Sequence, residues 1–145
     1  MAFNLPNLEG ELVDNKGNKH TAKDLLSGKK AVGIYFSAHW CPPCRGFTPI
    51  LAEFYEAVKK DHPDFEIVFV SSDQNEQSWK EYFDSMPWKS IPFGDARKGK
   101  LGSEHGVSGI PCLVIVNPST GAVITKNGRG DVQGKGPGAY ADWAK

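Results

Sequence analysis

A chain of 145 residues, 39% of them apolar, is long enough to bury a sizeable core as one domain over 1–145 and gives no reason to invoke a second. Its 17 Lys and Arg balance 17 Asp and Glu without a basic run that could track phosphates, so neither nucleic acid nor an anionic membrane is an expected partner. No stretch has the apolar length of a membrane span, and the N-terminus lacks the basic-then-apolar run of a secretory signal, so a soluble, cytoplasmic monomer is expected.

The first clear element is "AVGIYFSA", Ala31 to Ala38, an apolar, β-branched and aromatic run without helical spacing. It predicts a strand buried on both faces. Directly after it comes "HWCPPCRGFTP", followed by Phe47, Ile50, Leu51, Phe54 and Val58 at steps of three and four. That spacing predicts a long helix from near Pro42 to near Lys60, kinked at Pro49, which lacks a backbone donor.

"FEIVFVSSD", Phe65 to Asp73, predicts a second buried strand, and "EQSWKEYFDSM" a second helix with Trp79, Tyr82, Phe83 and Met86 on its packed side. Strand, helix, strand, helix argues a parallel α/β sheet. The two prolines of "PWKSIPF" break the pattern, and "GKLGSEHGV" predicts a brief helix or turn. In "CLVIVNPSTGAVITKNG" two strand-like runs joined by turn residues predict a hairpin, which makes the sheet mixed. The tail opens with five glycines in eleven residues and is expected to run as a loop until Tyr140 and Trp143 anchor a last short helix.

The chemistry is concentrated at Cys41 and Cys44. A strand that delivers Cys41 to the first turn of a helix sets its sulfur beside unpaired N–H groups and the positive end of the helix dipole, an environment that favours negative charge. Cys41 is therefore the expected nucleophile, and Cys44, one turn on, the thiol that resolves a mixed disulfide. Pro42 and Pro43 cost little in a first turn and restrict the loop between the sulfurs.

A zinc half-site is the competing use of such a pair, but His20, His39, His62, His105 and Cys112 supply no second ligand pair at zinc spacing. No metal is expected, and no cofactor beyond the Cys41–Cys44 disulfide itself. Three cysteines, an odd number, also do not make a secreted disulfide framework.

Around the pair, Trp40 is placed to cover the nucleophile and offer a flat face to substrate, with core packing as the alternative. Arg45 and His39 flank the motif and would act on it only through screened charge. Asp73, at the C-terminal end of the neighbouring strand, is a candidate proton acceptor for Cys44, with capping of the next helix as its alternative use and Asn75 as a competitor for the cap. Cys112 reads either as a small buried hydrophobe or as a third redox thiol. The remaining tryptophans, Trp79, Trp88 and Trp143, read as packing.

"WCPPCR" followed by "GFTP", with "MPW" at Met86 to Trp88 and "IPF" at Ile91 to Phe93, resembles the thioredoxin superfamily, and within it the tryparedoxin and nucleoredoxin branch. The likeness runs from about Leu12 to the C-terminus.

It implies a thioredoxin fold and a dithiol–disulfide oxidoreductase that takes electrons from trypanothione, or a similar dithiol, and passes them to peroxiredoxin-type peroxidases. It places Tyr35 where thioredoxins proper carry a buried Asp. It makes Pro111 a cis-proline beside the cysteines, with Ile110 offering backbone to an extended substrate. It gives Arg129 a role in gripping the peptide part of a substrate. A nucleoredoxin-like thiol regulator, a disulfide isomerase and a non-catalytic module that holds a metal or clasps a partner are the alternative functions.

Overall fold

The computed structural model describes residues 3–144. At its centre lie β3 (Ala31–Ser37) and β4 (Phe65–Ser71), paired in parallel with every residue buried, as runs without alternation require. The crossover between them is α2 (Pro42–Asp61), a single 20-residue helix that runs through Pro49 without interruption. It buries Cys44, Phe47, Thr48, Leu51, Phe54, Tyr55 and Val58 and leaves Pro49 on the solvent side. There the missing donor leaves a carbonyl that water can satisfy.

From β4 the chain enters α3 (Glu76–Phe83), whose N-cap is Asn75, its side-chain oxygen accepting from the Ser78 N–H at 2.8 Å. Asn75 rather than Asp73 is therefore the cap. A two-residue strand, β5 (Lys89–Ser90), pairs in parallel with β4, and α4 (Arg97–Glu104) follows. The hairpin of β6 (Cys112–Val116) and β7 (Val123–Thr125) adds antiparallel strands beside β3, so the sheet is mixed.

The N-terminal segment, unassigned from sequence, forms a second hairpin of β1 (Glu11–Val13) and β2 (Lys19–Thr21), followed by α1 (Ala22–Leu26). These strands are too short to show a period. Their turn is set by Asp14, whose side chain accepts from the N–H groups of Lys16 and Asn18, each at 2.9 Å. The full strand order is β2-β1-β5-β4-β3-β6-β7.

Each sheet face carries its own apolar layer. Tyr35, Phe47, Phe65, Ile67, Phe69, Trp88 and Leu113 pack on one side, and Val32, Ile34, Phe36, Val68, Val70 and Val114 on the other. Alternation along β3 thus puts Tyr35 under α2, against Phe47 and Trp88 with ring centroids 5.9 Å away in each case.

The glycine-rich tail departs from expectation. It forms α5 (Gly128–Lys135), a 3-10 turn (Gly136–Gly138) and α6 (Ala139–Trp143). Weak helix propensity is overridden by packing: Val132, Tyr140 and Trp143 enter the core, and the Trp143 indole N–H donates to Asp131 at 3.1 Å. Gly128 permits the close approach, since a Cβ there would meet the Leu113 carbonyl oxygen at 2.8 Å.

Candidate active site

Cys41 occupies the N-cap position of α2 in extended backbone conformation, and Pro42 and Pro43 fill the first two helical positions, both exposed. Prolines fit there because those N–H groups have no intrahelical partner. Cys44 lies in the first turn and is completely buried, while Cys41 is 5% exposed. Both are free thiols. Together with Ala38 they form a small apolar cluster capped by Ile110.

Burial, together with the neighbouring Cys41 thiol, pushes the Cys44 thiol up to about 11. The two cysteines are thus placed unequally. Cys41 lines a surface cleft together with Trp40, Ser72, Val107, Ser108, Gly109 and Ile110, whereas Cys44 faces inward.

Trp40 is 56% exposed and so is no core residue. Its indole N–H donates to the Ser72 carbonyl at 3.0 Å, which fixes the ring over one wall of the cleft. The opposite wall is the segment before β6, where the Ile110–Pro111 bond is cis. The Ile110 carbonyl lies 3.9 Å from the Cys41 sulfur.

Asp73 is buried, but its carboxylate is committed elsewhere. It accepts from the His39 backbone N–H at 2.7 Å and from the Ser71 hydroxyl at 2.6 Å. Both of its oxygens are thereby engaged, and neither bonds the Cys44 thiol.

Ser37 belongs to a hydroxyl cluster that sequence reasoning does not find. Its hydroxyl lies 2.6 Å from that of Tyr82, Tyr82 bonds Thr48, and Thr48 lies 2.7 Å from the Tyr35 hydroxyl. Thr48 also donates to the Cys44 carbonyl at 3.0 Å. Burial holds the Tyr35 and Tyr82 phenols above the ordinary tyrosine range, so both stay protonated at neutral pH. A partial signal exists in the spacing: Ser37 stands four residues before Cys41, and Thr48 four after Cys44, one helical turn away. For Tyr82 the helical spacing indicates packing alone.

Arg45 is exposed on α2. Arg129 sits not in a loop but at the second position of α5, its guanidinium 5.8 Å above the Phe47 ring. Cys112 is half-buried and packs against the second core layer, with burial raising its thiol above the ordinary range. Among the described residues no three His, Cys, Asp or Glu side chains converge as metal ligands would, and no helix is long and apolar enough to cross a membrane.

A family profile described as Thioredoxin-like matches residues 28–123. Tryparedoxin from Trypanosoma brucei brucei is 48% identical over 118 residues, which cover 79% of either chain. The chain belongs to the thioredoxin-like family, in its tryparedoxin and nucleoredoxin branch.

Nucleoredoxin from Mus musculus is 44% identical over 126 residues, 86% of this chain. The match spans only 28% of that longer relative. Among solved structures, a thioredoxin from Wuchereria bancrofti superposes with a TM-score of 0.82 at 46% identity, covering 94% of both chains. A tryparedoxin II in complex with glutathionylspermidine superposes with a TM-score of 0.81 at 36% identity, covering 86% of this chain and 85% of its own. The mixed sheet flanked by helices is the thioredoxin fold that this branch shares.

Proposed function

We propose that this chain is a thiol–disulfide oxidoreductase of tryparedoxin type. The observation that carries the reading is the asymmetry of the pair: Cys41 opens onto the cleft under Trp40, while Cys44 is sealed behind it.

In the reducing direction the Cys41 thiolate attacks a substrate disulfide, forms a mixed disulfide and expels one substrate thiol. Cys44 then attacks the Cys41 sulfur and expels the second thiol, leaving the Cys41–Cys44 disulfide. A dithiol donor reverses both steps. Trp40 gives the cleft an apolar wall, and Ile110 offers its carbonyl to an extended substrate segment across from it.

The donor on this reading is a glutathione-containing dithiol such as trypanothione, and the acceptors are peroxiredoxin-type peroxidases. Two features support it: the similarity to a tryparedoxin that holds glutathionylspermidine, and Arg129, whose planar fork suits a peptide carboxylate. The similarity to nucleoredoxins favours a second reading, a thiol regulator with a different donor.

The test is turnover with trypanothione, glutathione and thioredoxin reductase offered separately, with an oxidised peroxiredoxin as acceptor. Turnover with trypanothione well above the other two supports the tryparedoxin reading. Reduction by thioredoxin reductase alone contradicts it, and no turnover with any donor contradicts the oxidoreductase assignment itself.

A further inference from the structure

The solvent face of α2 changes character along its length. Beyond Leu51 it exposes Glu53, Glu56, Lys60 and Asp61, the charged pattern usual for the outer side of a helix. Next to Cys41 it exposes Pro42, Pro43, Gly46, Pro49 and Ile50, with Arg45 among them. Ile50 is 44% exposed.

Two of these residues weaken the helix that carries them. Glycine and proline are the poorest residues for a helix interior. Packing does not ask for Gly46, since a Cβ there would meet no described atom within 4 Å, and neither does its backbone, which is free of a positive φ. What Gly46 and Pro49 do provide is a low, uncharged surface between Cys41 and Ile50.

That surface leads into a groove. Ile50, Phe54 and Ala57 of α2 line it with Val132 of α5 and Pro137 of the 3-10 turn, around a cavity of about 220 Å³ with Glu53 at its rim. Phe54 and Val132, each 3% exposed, make the floor. The volume lies below the roughly 300 Å³ at which sites for free small molecules begin, and it suits one inserted side chain. Helical spacing puts Pro43, Gly46, Ile50 and Ala57 in line, so the groove continues the surface beside Cys41 and is no separate patch.

Size decides what can reach it. From Cys41 to Ile50 is about 13 Å along the helix, at roughly 1.5 Å of rise per residue. A small disulfide held at the Cys41 sulfur ends well short of that. A protein partner with a standard interface covers about 800 Å² on its side, a disc of about 16 Å radius, and centred on Cys41 it spans the distance.

We infer that the face from Pro43 through Gly46 to the Ile50 groove is a docking surface for the protein whose disulfide Cys41 attacks, with an apolar side chain of that protein seated in the groove. The inference rests on the oxidoreductase reading above and adds a division of specificity. The Trp40 cleft serves small and protein disulfides alike, and the groove serves proteins alone. Ile50 is a specificity-determining residue, too far from the sulfurs to act on the exchange itself.

The readout is the rate at which the prereduced chain is oxidised over a range of acceptor concentrations, with an oxidised peroxiredoxin in one arm and glutathione disulfide in the other. Rapid quench, alkylation and mass spectrometry follow it. Ile50→Asp should lower the rate at low peroxiredoxin concentration about tenfold, the worth of one interface anchor, and leave the rate at saturation unchanged. Its rate with glutathione disulfide should not change. Gly46→Gln puts a neutral side chain on the path from Cys41 to the groove and should weaken peroxiredoxin docking in the same way, while the melting temperature rises because Gln favours a helix more than Gly does. Lost docking in a more stable protein excludes damage to the fold as its cause.

Unchanged peroxiredoxin kinetics in Ile50→Asp overturns the docking surface and leaves the oxidoreductase reading intact. An equal loss with glutathione disulfide also overturns it, because the change then acts on the cysteines. A wild-type dimer in sedimentation that Ile50→Asp abolishes gives the groove to a second copy and overturns it as well. Oxidation of the wild-type chain by glutathione disulfide but not by peroxiredoxin overturns the peroxidase-acceptor reading together with the docking surface, and oxidation by neither overturns the oxidoreductase reading itself.

Discussion

The Asp73 carboxylate accepts the backbone N–H of His39 at 2.7 Å, tying the end of β4 to the loop that carries the cysteines. Its second oxygen takes the Ser71 hydroxyl, so both are engaged in a buried site. Position at a strand end suggests a base for Cys44, but the loop geometry spends this carboxylate on structure.

Asp73→Ala should leave the His39 N–H and the Ser71 hydroxyl without their acceptor, at about 1–3 kcal/mol of stability. Urea unfolding of the reduced protein measures this. Turnover of the molecules that remain folded should fall by less than about tenfold, a barrier change under ~1.4 kcal/mol. Unchanged stability with lost turnover would return Asp73 to the chemistry.

Cys44 should resist alkylation until well above neutral pH. Burial and the adjacent Cys41 push the Cys44 thiol up to about 11, so iodoacetamide near neutral pH should label Cys41 and spare Cys44. Labelling of Cys44 should rise only as pH approaches that value. The linkage sign follows: a thiol raised in the folded state adds stability that is complete below its ordinary value of 9.0 and is lost as pH climbs through about 11. Peptide mapping after timed alkylation checks the first point, and melts of the reduced chain across that range check the second.

His105, only 4% exposed, carries a ring Nδ1 without a hydrogen-bond partner among the described residues, and burial pulls its pKa below the ordinary 6.5. A lowered folded value means the stability it contributes is complete above 6.5 and is lost as pH falls through the folded value. The unfolding free energy should therefore decline below about pH 6.5 with a slope of at most ~1.4 kcal/mol per pH unit from this group. His105→Leu should flatten that decline in chemical unfolding at about pH 7, 6 and 5. An equally steep decline in the variant would show that other groups carry it.

Trp40 is exposed yet fixed by its bond to Ser72, so its loss should harm binding more than folding. Trp40→Ala should raise KM for a protein disulfide severalfold, as loss of about 1 kcal/mol of aromatic contact implies. The melting temperature should shift little. Steady-state kinetics with a calorimetric control separates the two.

Side-chain pattern set what was legible in the sequence. The unbroken apolar runs of Ala31–Ser37 and Phe65–Ser71 and the three-and-four spacing from Phe47 to Val58 point to the central strands and α2, because burial on defined faces leaves a period. The β1 and β2 hairpin is too short for a period, and α5 is hidden because packing against Leu113, rather than propensity, makes its glycines helical. Within the site, Cys41 and Cys44 stand out by spacing, whereas Ser37, Thr48 and Tyr82 come together only through the fold. No local pattern announces a hydroxyl supplied by another helix.

The division of labour between Cys41 and Cys44 is the centre of the mechanism. The direct measurement is intact-mass and peptide analysis of Cys44→Ser and Cys41→Ser variants after reaction with an oxidised protein substrate. Cys44→Ser should accumulate a stable mixed disulfide through Cys41, while Cys41→Ser accumulates none. Trapping through Cys44 in the Cys41→Ser variant, or full reductase turnover by both single variants, would contradict the mechanism.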